Sequence, residues 1–93
     1  MAMMVKDPGT RIDFDFDWAA ACPAGQAVAA SDWTVWPDES EGVAVAAMTH
    51  GLARATVTLA GGIAGRVYRV TNRGTMTDGQ VEERSMAVRV EER

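Results

Sequence analysis

Asp13, Asp15 and Asp17 alternate with Ile12, Phe14, Phe16 and Trp18 within Arg11 to Trp18, which sets three carboxylates on one side of an extended segment. Three hard oxygen donors invite a calcium site. Same-face side chains of a strand, however, stand about 6.7 Å apart in a line, whereas one Ca²⁺ needs its oxygens about 2.3–2.6 Å from a common centre, which loops achieve by curling. There is also no glycine and distal glutamate to complete an EF-hand pattern. The spacing predicts a solvated or partner-facing strand face and no metal. Cys22 and His50 are the only cysteine and histidine. They name a nucleophile and a base, but nothing in the pattern makes them neighbours, and two such residues cannot form a zinc cluster. No Ser-His-Asp set or pair of carboxylates flanking a cleft is apparent. Gly61-Gly62-Ile63-Ala64-Gly65 lacks the Lys-Ser/Thr and the following helix of a phosphate cradle and reads as a loop. The residue types predict no catalytic group, no cofactor and no metal.

The remaining chemistry is that of contact. Trp33 and Trp36 differ in parity, so one regular strand cannot point both inward. Trp33 is placed to be a core tryptophan, and an exposed Trp36 before Pro37 would anchor an interface, unless a bulge or bend buries both. Arg69 and Arg73 share an outward face and are expected to pair with acids of a neighbouring strand or of another copy. The candidate interface residues are therefore Trp36, Asp13, Asp15, Asp17, Arg69 and Arg73.

The elements that hold these residues are short and alternating. Arg11 to Trp18 is a half-buried strand, and Gln26 to Trp36 gives one strand or two short ones ending at Pro37. The sixteen alanines would permit a helix near Ala19 to Ala21 or Ala27 to Ala30, but Pro23, Gly25 and Ser31-Asp32 leave too little uninterrupted length for one. Val43 to Thr49 and Leu52 to Ala60 read as two strands turned at Gly51. Arg66 to Arg73 and Glu83 to Val90 complete the set, with Tyr68, Val70, Met86, Val88 and Val90 inward. A two-residue turn at Asp78-Gly79 would make paired positions sum to 157 and match even with odd. All the inward residues are even-numbered, so an odd-length loop or a bulge must restore parity, and Gly74 is the expected bulge. Residues 1–10 are expected as a flexible arm and residues 11–93 as one domain. Six to seven short strands and frequent glycine turns predict an all-β fold, an immunoglobulin-like antiparallel β-sandwich, with a small barrel as the alternative. Tyr68 near the start of its strand, two residues before Val70, resembles a tyrosine corner.

Size and charge narrow the function. Ninety-three residues make a single core. Thirteen acids against nine Lys and Arg give a formal net charge of −4, the wrong sign for a domain held to nucleic acid by phosphate neutralisation. Acidity concentrates in residues 1–50, with eight acids and two basic residues, while residues 66–93 hold six arginines and five acids. Such asymmetry suits contact between copies or with a basic partner, or is simply spread surface charge. The apolar run Met1 to Val5 is too short for a signal peptide, and no stretch reaches the length of a membrane helix. Synthesis in a reducing cytoplasm is expected.

Several segments, in order, resemble a known family. They are Lys6-Asp7-Pro8, the Asp-aromatic strand ending Asp17-Trp18, Ser31-Asp32-Trp33-Thr34-Val35, Gly61-Gly62-Ile63-Ala64-Gly65, Tyr68-Arg69-Val70-Thr71-Asn72-Arg73, and Arg84-Ser85-Met86-Ala87-Val88-Arg89-Val90. Together they are similar to small immunoglobulin-like structural proteins of tailed bacteriophages and prophages, described as fibre-tail adaptor proteins. The resemblance implies a non-enzymatic virion component joining tail or baseplate proteins to a fibre or to one another. Its partners would be other virion structural proteins or further copies of the chain, and neither nucleic acid nor membrane. The rival reading is a carbohydrate- or cell-surface-binding β module in which Trp36 and the glycine-rich loop form an aromatic platform. An enzyme accessory domain would instead need a deep pocket lined by titratable groups.

Overall fold

The computed structural model describes residues 2–19 and 25–92. Among them run seven strands: β1 (Ala2–Lys6), β2 (Arg11–Asp17), β3 (Val28–Trp36), β4 (Ala44–His50), β5 (Arg54–Ala60), β6 (Val67–Met76) and β7 (Val81–Val90). One sheet has the order β1-β7-β6-β3 and the other β2-β5-β4, and the described residues contain no α-helix. The alternation read from the sequence decides which faces meet. Phe16, Val57 and Leu59 of the smaller sheet are buried with Tyr68, Val70, Met86 and Val88 of the larger. Each fully buried aliphatic side chain there contributes roughly 1.5–3 kcal/mol.

Two expectations require correction. The first ten residues are not simply an arm, because Ala2–Lys6 pairs parallel with β7, Ala2 opposite Met86 and Lys6 opposite Val90. The sandwich is therefore not wholly antiparallel. β1 and β7 are not joined by a hairpin, so no tight turn dictates their relative direction. Gly74 is not a bulge: β6 and β7 pair without a break through Gly74 opposite Glu82 to Thr75 opposite Val81, even with even. The odd-length loop restores parity instead. Met76 donates its N–H to Gln80 at 2.8 Å, and Gly79 donates to Met76 at 2.9 Å, enclosing Thr77-Asp78-Gly79. Gly79 holds φ at 90°, the left-handed value such a three-residue loop requires. A Cβ at Gly74 would stand 3.5 Å from the Trp18 ring, an ordinary contact, and its φ is not left-handed.

Trp18, just past β2, is fully buried and joins the two sheets. Its Nε1 donates to Asn72 Oδ1 at 2.7 Å, and the Asn72 amide donates in turn to Ser31 Oγ at 2.8 Å and to the Asp32 carbonyl at 3.0 Å. Arg84 lies 4.5 Å over the indole and donates to the Asp17 carbonyl at 2.8 Å. Trp33 is also in the core, stacked on Phe16 with ring centroids 5.4 Å apart, but its buried Nε1 has no hydrogen-bond partner among the described residues.

Candidate functional site

Strand register assembles an apolar stripe on the outer face of the larger sheet. Met3 lies opposite Ala87, Ala87 opposite Arg69, and Arg69 opposite Trp36, so a single row crosses all four strands. The adjacent row sets Val5 and Val67 on either side of Arg89. Trp36 is 73% exposed, Met3 63% and Val67 53%, although each sits in a regular strand. The parity of β3 explains the division of its tryptophans: Trp33 goes inward, and Trp36, three residues on, goes outward just before its cis bond to Pro37. Trp36, Val67, Arg69 and Ala87 border an open depression of about 480 Å³.

Charge is distributed unequally over this face. Arg73 has an acid on each side in register, Asp32 on β3 and Glu83 on β7. Arg89 holds Glu91 at 2.8 Å. Arg69 has Trp36 on one side and Ala87 on the other. It is a cation set among apolar neighbours.

The outer face of the smaller sheet is of another kind. Asp13 accepts a hydrogen bond from Thr58 Oγ1 at 2.6 Å, Asp15 binds Arg54 at 2.9 Å, and Asp17 lies 3.8 Å from the same guanidinium. Asp17 also accepts the Ala19 N–H at 2.9 Å. The three aspartates are thus spread along β2 and tied across to β5, as strand geometry dictates. Among the described residues no three of His, Cys, Asp and Glu converge on a point that could hold a metal ion. Cys22 lies outside the described residues, and His50 is exposed at the end of β4 with Nδ1 3.0 Å from the Gly51 carbonyl oxygen. No described helix is long and apolar enough to cross a membrane. The arrangement offers contact surface and polar ties.

A family model described as "Podophage GP4 fiber-tail adaptor protein gp77" matches residues 6–89. The chain belongs to this phage fiber-tail adaptor family. No curated protein matches the chain. The adaptor match begins at Lys6, one of the residues whose role the sequence does not announce. Lys6 is only 1% exposed, and its Nζ donates to the carbonyls of Asp7 at 3.0 Å, Thr10 at 2.6 Å and Gly61 at 2.6 Å. Its three protons meet three oxygens, which makes burial of the ammonium tolerable. Burial still pushes its pKa below the usual lysine range, with the Asp7 carboxylate opposing. The Gly61 carbonyl is reachable because that loop packs tightly: a Cβ on Gly61 would come within 2.7 Å of the Gly42 carbonyl oxygen, and φ there is 76°.

Tyr68 secures the same end of the adaptor. Its hydroxyl donates to Glu39 at 2.6 Å and accepts the Ile63 N–H at 3.2 Å, while Arg66 reaches Glu39 at 3.4 Å. Burial first, then the hydrogen bond to Glu39, raise the phenol above its ordinary pKa; the Ile63 N–H and the Arg66 charge oppose. Glu39 and Asn72 also escaped the sequence reading. For Asn72 the signal was present: it shares the even parity of Tyr68 and Val70, so a polar side chain was bound inward and needed partners.

Proposed function

We propose that this adaptor is a non-enzymatic virion component that joins tail or baseplate proteins to a fibre or to one another through its outer sheet faces. It is made in the cytoplasm of the bacterial host, from a phage or prophage genome, and carried in the particle. Family membership supports a structural adaptor role, and the row Met3–Ala87–Arg69–Trp36 is the observation that carries the choice of surface. An exposed tryptophan beside an arginine without a register acid has the composition of an interface centre. The face bearing Asp13, Asp15 and Asp17 and the polar margin at Arg73 serve as secondary contacts, whose charges set orientation more than affinity.

The scaffold is read as one immunoglobulin-like sandwich that includes β1. Support comes from the sheet orders, from Trp33 on the third strand, and from the Tyr68 hydroxyl reaching back to the backbone of Ile63 as in a tyrosine corner.

Trp36→Ala and Arg69→Glu test the surface. Both side chains are exposed, so each variant should melt within a few degrees of the parent while its incorporation into particles falls at least tenfold. Normal incorporation of both variants would remove this face from the interface. A glycan-binding reading draws on the same exposed Trp36 beside an open depression. It predicts saccharide binding by the isolated chain that disappears in Trp36→Ala with particle incorporation unaffected.

A further inference from the structure

Sheets of four and three strands leave one flank of the sandwich open, where edge strand β3 of the larger sheet borders edge strand β4 of the smaller. A groove of about 320 Å³ runs there, lined by Thr34, Val35, Asp38, Val43, Ala44 and Val45. On β4, Val45, Met48 and His50 pair with Leu59, Val57 and Ala55, three fully buried residues, and so belong to the inner face of their sheet. Yet Met48 is 51% exposed. An inner-face methionine open to water marks the place where the opposing sheet is one strand short. The outer edge of β3, next to it, has no strand partner among the described residues, leaving main-chain N–H and C=O groups outside any ladder.

We infer that this edge receives an extended segment of a different virion protein, added as a fifth strand alongside β3, whose inward side chains fill the groove over Val35 and Val45 and extend toward Met48. The inference rests on the adaptor reading above and names the kind of partner it takes. Addition at β4 would complete a ladder but leave Met48 and Val45 uncovered; addition at β3 does both. Main-chain hydrogen bonds would supply affinity and alternate side chains selectivity. Among the described residues the only charged one lining the groove is Asp38, so the complementary segment is apolar at alternate positions with a Lys or Arg near that end. A second copy fits poorly. Antiparallel pairing of Val28–Trp36 with its own copy over its whole length centres on Asp32 and sets that carboxylate against itself.

Hydrogen exchange read by mass spectrometry, on the free chain and on purified particles, tests this together with Ala44→Arg. Ala44 is exposed at the rim of the groove, its side chain on the outer side of β4, so an arginine there crowds the groove mouth and the approach of an added strand without entering the core. The expected result is at least tenfold slower exchange over residues 30–36 in the particle. Ala44→Arg should melt as the parent does and be incorporated at least tenfold less. A chain present in particles with unchanged exchange over 30–36 overturns the added strand and leaves the adaptor role standing. Absence of the chain from particles overturns both. Protection that grows with the free chain's own concentration, alongside a doubled mass, makes the occupant a second copy and also overturns the proposal.

Discussion

Single residues carry polar ties whose loss has a calculable sign. The Tyr68 phenol is raised in the folded state, so the folded chain holds that proton more firmly than the unfolded one. Its contribution is whole below pH 10, where the unfolded phenol begins to ionise, and declines as pH rises through the folded value. Tyr68→Phe should cost about 1–3 kcal/mol at neutral pH by stranding the Ile63 N–H and Glu39. The variant's stability should also fall less than the parent's above pH 10. Denaturant titrations across alkaline pH read the difference between the two proteins, which cancels Lys6, whose lowered pKa acts in the opposite direction. The two core tryptophans should separate as well. Trp18→Phe removes the donor to Asn72 and the indole under Arg84, at about 2–4 kcal/mol. Trp33→Phe removes an N–H that has no partner among the described residues and keeps a ring against Phe16, so it should cost clearly less; equal midpoint shifts would contradict this. Parity placed Trp18 with Phe14 and Phe16 on the inner face, because burial on a strand is a local property; it separated Trp33 from Trp36 without choosing between them, and the same signal at Asn72 was missed. The partners of Lys6 were not legible, since its three carbonyls come from two separate turns that only the folded chain brings together.

At the level of strands, the sequence announced β2 to β7 through alternation and turn residues. It even required an odd-length loop or a bulge between β6 and β7, since five inward residues share one parity, and favoured the bulge that the structure lacks. The choice between a bulge and a longer loop depended on Gly79 taking a left-handed conformation, which a Gly next to Asp permits but does not impose. Gly79→Ala should therefore destabilise by about 1 kcal/mol, whereas Gly74→Ala, with ordinary φ and a contact no closer than 3.4 Å, should cost less. Thermal midpoints of the two variants decide the order. β1 was missed for a different reason. Five residues without alternation carry little strand signal, and their partner is β7, at the far end of the chain. Pairing of that kind is a product of the completed sheet.

For the molecule as a whole, the two outer faces differ more than the net charge of −4 suggests. One couples its aspartates to Thr58 and Arg54; the other gathers Trp36, Met3 and Val67 around Arg69. Two unlike surfaces suit a connector that must tell one neighbour from another, since stacking like on like would bring Arg69 close to its counterpart. The direction of the first strand has a practical consequence. Because β1 runs the same way as β7, with Ala2 beside Met86 and Lys6 beside Val90, heavy-atom clusters fixed at residues 2 and 92 would stand about 20 Å apart along the strands, the second nearer the pole at which β7 ends. Electron micrographs of labelled particles would then show which pole looks toward the capsid, giving the polarity of the joint without any need to identify its neighbours first.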